Sequence, residues 1–163
     1  MILHYFKKKE NKEQIIATQQ YKKILLESNI FLNENNFFKI KDFKTSFEIL
    51  SIFLIMFIRK NLTEENRKTF LKVNDELVSL FISDLDESLR EKGIGDMSIG
   101  KYVKSYVKKF YYRISKFPAD NNLYKNKFFI EYLKFTNLIK NEDYVYVSRK
   151  FNDKFDDFIN SAK

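Results

Sequence analysis

The chain is 163 residues long, 44% apolar and 32% charged with a net charge of +8, which excludes a disordered chain and suits one domain with a core. The absence of Cys excludes disulfides, thiolate metal sites and cysteine nucleophiles. The single histidine, His4, stands near the N-terminus, so no histidine triad, zinc cluster or haem ligand is expected in the body of the domain.

In MILHYFKKKENK the apolar residues precede the basic run, the wrong order for a secretory signal. The expected location is cytoplasmic, or peripheral on the cytoplasmic face of the inner membrane. Residues 1–11 are expected to be a flexible N-terminus and 12–163 one helical domain.

Helical periodicity then dominates. A first helix is predicted from Asn11 to Ser28, followed by a polar linker containing Asn33, Asn35 and Asn36. A second runs from Asp42 to Lys60 and contains FEILSIFLIMFI (Phe47–Ile58). Those twelve residues, with Glu48 and Ser51 among them, are too few to span a bilayer and fit a buried helix. A third is predicted from Thr63, which can cap it with Glu64 and Glu65 in the first turn, to Lys92, with Gly93 as its stop. The fourth extends from Ser98 to Phe117-Pro118, since Pro118 lacks an amide hydrogen and restricts the residue before it. A fifth covers Asn121 to Ile139 and a short sixth Ser148 to Ile159. Tyr144-Val145-Tyr146-Val147 fits a strand with nothing to pair with. The expected fold is all-α: a single compact domain of about six helices, with two long central helices joined by a glycine-rich corner.

The segment GDMSIGK (Gly95–Lys101) has the shape of a phosphate-binding loop, yet Tyr102 stands where a magnesium-binding Ser or Thr is needed, and a charged helix precedes it instead of a strand. A corner explains the same letters better. Gly93 can take the left-handed position that ends a helix. Asp96 or Ser98 can cap the next one, Gly95 allows a tight turn, and Gly100 allows another helix to approach. Ile94, Met97 and Ile99 are available to anchor it.

On the fourth helix Tyr102, Val103, Tyr106, Val107, Phe110, Ile114 and Phe117 share an apolar arc, with Ile99 in line. Residues 101–116 carry five Lys, one Arg and no acid, a local charge of +6. That pattern fits a core helix with a solvated lysine face. It also fits a docking face for RNA phosphate, lipid headgroups or an acidic partner, a reading that Tyr112 among the lysines strengthens. The preceding segment 63–92 has eight acids and five bases, net −3. Asp84 lies within its apolar arc and is expected to meet Arg113 as a buried pair. Asp84 and Asp86, two apart on a helix, do not face each other, so no catalytic pair is expected.

The run Asp84-Leu85-Asp86-Glu87-Ser88-Leu89-Arg90-Glu91-Lys92-Gly93-Ile94-Gly95-Asp96, continuing through Lys101 and Lys104 to Phe110-Tyr111-Tyr112-Arg113, resembles the signature of the ubiquinol–cytochrome c chaperone family, assembly factors of the cytochrome bc1 complex. Phe47-Glu48 looks like the family's G-R-F-D region, with Ser46 where Arg is usual and Glu48 where Asp is usual. The resemblance implies an all-helical, non-enzymatic chaperone without cofactor or metal, its domain spanning about residues 12–140. The implied partner is newly made or unassembled cytochrome b, with a small partner protein, the ribosomal exit region and an anionic membrane surface as further candidates, and no DNA. The alternative is a basic peripheral module that binds RNA or a membrane surface without a client. The expected partner-binding residues are Asp84, Asp86, Arg90, Glu91, Asp96, Lys101, Lys104, Lys108, Tyr112 and Arg113, with Gly93, Gly95 and Gly100 as the structural corner.

Overall fold

The computed structural model describes residues 11–63, 65, 67–118 and 122–160. His4, Glu64, the expected helix start at Asn121 and the expected flexibility of residues 1–10 lie outside the described residues. The described residues form six α-helices: α1 (Lys12–Glu34), α2 (Phe43–Asn61), α3 (Arg67–Glu91), α4 (Asp96–Lys116), α5 (Lys127–Thr136) and α6 (Tyr144–Asn160). A 3₁₀ turn at Leu123–Lys125 precedes α5. This is the all-α architecture expected from periodicity. The YVYV stretch forms the first turn of α6 instead of a strand, because Asp143 caps it by accepting from Tyr146 N at 3.0 Å.

Helix α2 is the centre of the core. It is buried on nearly every side, with Phe53, Leu54, Ile55 and Met56 all shielded from solvent, as an all-round apolar helix must be. Asp42 starts it by accepting from Thr45 N at 2.9 Å. Helices α1, α3 and α6 pack around it. Helix α1 begins at a capping box between Asn11 and Gln14 and outruns its predicted end by six residues, through Glu34. The reason is Phe31 and Leu32, which extend the buried stripe of Ala17, Tyr21 and Ile24.

A buried amide chain ties three helices together: Gln20 and Asn61 bond reciprocally at 2.9 and 3.0 Å, and Asn61 donates to Asn74 at 2.8 Å. Arg59 reaches from the last turn of α2 to the carbonyls of Ile114 and Phe117, at 3.2 and 3.3 Å, and so satisfies the open end of α4. Thr63 lies in a turn, its hydroxyl donating to Lys60 O, and does not cap α3, which starts at Arg67.

The corner between α3 and α4 is a Schellman turn. Gly93 has φ +86°, its N–H donates to Arg90 O at 2.8 Å, and Ile94 N–H donates to Leu89 O at 3.2 Å. Three expectations at this corner need correction. Gly95 is the N-cap of α4 and no side chain caps it, so neither Asp96 nor Ser98 does that work. Met97 points fully into solvent, and only Ile94 and Ile99 anchor the corner to the core. A Cβ on Gly100 would meet nothing within 4 Å, so no helix approaches there.

Candidate functional site: a basic groove with aromatic walls

Helix α4 buries only Ile99 and Phe110 along its length, so much of its surface is available for contact. Tyr102, placed on the apolar arc by periodicity, is in fact exposed. Between α4 and α5 runs a groove of about 650 Å³, lined by Lys44 and Glu48 of α2, by Ser105, Lys108, Lys109, Tyr112 and Arg113 of α4, and by Phe128, Tyr132, Phe135 and Thr136 of α5. Helical spacing builds both walls. Phe128, Tyr132 and Phe135 stand four and three apart, so their rings form one stripe, while Ser105, Lys108, Lys109 and Tyr112 share a face of α4. Phe135 is 90% exposed and Tyr112 60%.

The floor of the groove is an ion pair. Arg113 Nη2 donates to Glu48 Oε1 at 2.6 Å, with side chains only 12% and 8% exposed. Tyr132 donates its hydroxyl to the other carboxylate oxygen. The guanidinium also lies over the Phe47 and Tyr132 rings, at 5.6 and 5.5 Å from their centroids. Burial, and then the negative charge of Glu48, push the Tyr132 phenol well above its usual range, so it stays a donor. Lys44 Nζ reaches Thr136 O at 3.3 Å and ties the start of α2 to the end of α5.

The expected pairing of Asp84 with Arg113 does not occur. Asp84 faces α1 and accepts from the Tyr21 hydroxyl at 2.8 Å, while Arg113 faces α2 and α5. Burial, followed by the hydrogen bond and charge of Asp84, raises the Tyr21 phenol above its usual range. Asp84 also lines a smaller cavity of about 200 Å³ between α1, α2 and α3, shared with Leu25, Phe43 and Phe81.

The other expected contact residues divide into two groups. At the corner, Arg90 bonds Asp86 at 2.5 Å and also Asp96, linking the end of α3 to the start of α4, with Glu91 exposed beside them. Lys92 adds a cation over the Phe43 ring at 4.8 Å. Along α4, Lys108, Tyr112 and Arg113 line the groove, whereas Lys101 and Lys104 are exposed nearer the corner. Glu48, Lys44, Lys109 and the α5 ring stripe were absent from the residues expected at a site. For Glu48 the signal was present: it is the lone charge in a twelve-residue run that is apolar but for it and Ser51. The α5 rings gave none, because in a chain with 18 Phe no single Phe stands out.

Among the described residues, no group of three or more His, Cys, Asp or Glu gathers to hold a metal, and no helix is long and apolar enough to cross a membrane. No curated protein and no solved structure matches the chain. A sequence profile described as "Ubiquinol-cytochrome C chaperone" matches residues 38–119, half of the chain, which spans α2, α3 and α4 with the α3–α4 corner inside it. The chain therefore belongs to the ubiquinol–cytochrome c chaperone family, a family of non-enzymatic assembly chaperones, and membership implies cytochrome b as its partner in bc1 assembly.

Proposed function

We propose that this chain holds unassembled cytochrome b during assembly of the bc1 complex, and that the groove between α4 and α5 is where it makes contact. The observation that carries this reading is the groove itself: exposed rings and lysines meet in one concavity beside the family's matched helices. A chaperone for a membrane protein needs an apolar surface that stays folded while empty, and a rigid ion-paired floor supports that. Lys108, Tyr112 and Arg113 belong to this surface. Asp86, Arg90, Glu91 and Asp96, with Gly93 and Gly95, form the corner that leads into α4 and offer a second, acidic contact for a small partner protein, whereas Asp84 is turned toward α1 and Gly100 stands in open space.

The exposed Lys101 and Lys104, outside the groove, favour a further contact with the ribosome or an anionic membrane surface. The two contacts separate experimentally. Deleting the gene should lower b-type haem absorbance and ubiquinol–cytochrome c reductase activity. The tagged chain should copurify with cytochrome b, and Lys108→Glu with Lys109→Glu should weaken that capture. Lys101→Glu with Lys104→Glu should instead weaken salt-sensitive binding to ribosomes or anionic vesicles. Normal bc1 levels in the deletion strain would sink the chaperone reading.

A further inference from the structure

We propose that the α4–α5 groove is a receptor for an acidic amphipathic helix of a partner protein, with carboxylates seated on Lys44, Lys108 and Lys109 and apolar side chains laid along Phe128 and Phe135. This deepens, and rests on, the reading of the groove as the partner-contact surface. Three observations select this occupant. The first is the division of the walls. The cations stand on α4 and α2, with the exposed Tyr112 among them, while α5 supplies the partly buried Phe128 and Tyr132 and the exposed Phe135, so the groove offers a positive side and an apolar side. A helix with an acidic stripe beside an apolar stripe has the matching pattern, and helix-in-groove binding reads such stripes at i, i+3, i+4 and i+7.

The second is dimension. From Ser105 to Arg113 the α4 wall extends about 12 Å, enough for roughly two turns of a bound helix at 1.5 Å per residue. The third is what remains unsatisfied. Lys108 has no ion-pair or hydrogen-bond partner among the described residues. Arg113 Nη1 on the floor likewise has no acceptor. Glu48 is already neutralised by Arg113, so it does not repel an incoming carboxylate. A bilayer surface fits less well, because the lysines and rings line a concavity instead of crowning a bulge. Single-stranded RNA fits less well too, since its phosphates need a cationic track and here the cations occupy one side.

The test is fluorescence anisotropy with the purified full chain. Its probe is a labelled peptide of about 15 residues with Leu at helical i, i+3, i+4 and i+7 spacing and Glu on the adjoining face. The Gln isostere of that peptide, oligouridylate, and phosphatidylcholine vesicles with phosphatidylglycerol are the competing probes. The acidic peptide should bind about tenfold more tightly than its Gln isostere. Lys108→Glu with Lys109→Glu should weaken binding about tenfold, and Phe135→Ser severalfold, with circular dichroism unchanged because all three side chains are exposed. Lys22→Glu on α1, an exposed charge change away from the groove, should leave it unaltered. Equal binding of the Gln isostere, wild-type binding by the groove variants, or failure to bind the acidic peptide while vesicles or RNA bind and lose affinity in the groove variants, overturns the proposal. Groove variants that lose the peptide yet still capture cytochrome b and restore the bc1 haem spectrum leave this proposal standing and remove the assignment of the groove to the cytochrome client.

Discussion

Glu48 sits inside the most apolar helix of the protein, and both of its carboxylate oxygens are bonded, one to Arg113 and one to Tyr132. A buried pair of this kind contributes little net stability, but removing one partner strands a charge. Arg113→Met should therefore cost about 3–5 kcal/mol in urea unfolding, whereas Arg113→Met combined with Glu48→Gln should recover most of that loss. A double variant as unstable as the single one would show that the pair matters only through Arg113 packing on Phe47. The tyrosines give a pH signature at the same scale. Both Tyr21 and Tyr132 have folded pKa values raised above the unfolded one. The unfolded chain thus releases their protons first, and the stability they contribute is present below about pH 10 and falls as pH rises beyond it. Tyr21→Phe and Tyr132→Phe should each reduce the steepness of alkaline destabilisation by up to about 1.4 kcal/mol per pH unit. Lysine titration is common to all variants, so the difference between wild type and variant is the quantity to measure.

At the scale of elements, two glycines in and beside the α3–α4 corner make opposite predictions, although a Cβ at either would have no neighbour within 4 Å. Gly93 holds φ +86°, so Gly93→Ala should destabilise by about 1–2 kcal/mol through backbone strain alone. Gly100 lies within α4 in open space, so Gly100→Ala should stabilise by about 0.5–1 kcal/mol. Thermal unfolding of both variants checks the pair, and a loss at Gly100 would restore the close approach that its spacing suggested. This corner also marks how far the sequence could be read. The Gly93 stop was legible because a left-handed C-terminus is a local requirement, met by residues adjacent in the chain. The start of α2 and the end of α4 were legible for the same kind of reason, through Asp42 and Pro118. The partners of Asp84 and Arg113 were not. Periodicity gives the direction of a side chain around its own helix, but whether α1 or α4 stands in that direction depends on packing, and Tyr21 and Glu48 are 63 and 65 residues away from the charges they meet. The groove was half legible: the lysines and Tyr112 followed from the α4 pattern, while its second wall required knowing where α5 lands.

At the scale of the molecule, the family's matched stretch stops at residue 119, and α1, α5 and α6 lie outside it. The core does not respect that boundary. Phe151 of α6 packs against Phe31 of α1 at 4.6 Å and against Phe53 of α2 at 6.3 Å, and Phe158 packs against Phe57 at 4.6 Å. Phe117 at the end of α4 meets Phe129 of α5 at 5.8 Å. The linker before α2 and the loop after α5 are also joined, by Lys39 N–H to Leu138 O at 2.7 Å and Lys140 N–H to Phe37 O at 2.8 Å. We propose on these grounds that residues 12–163 are one folding unit, in which the C-terminal helices close the side of α2 that α1 and α3 leave open. Burying a side chain the size of Phe contributes about 1.5–3 kcal/mol, so uncovering several at once rivals the whole stability of a domain, about 5–15 kcal/mol. A chain truncated after residue 119 should therefore lose cooperative thermal unfolding and expose apolar surface to a hydrophobic dye. The chain cut after residue 119 should also lose the groove, since Phe128, Tyr132 and Phe135 go with α5. If it still melts cooperatively near the full-length temperature, α5 and α6 are separate from the fold and remain as an addition that serves binding alone.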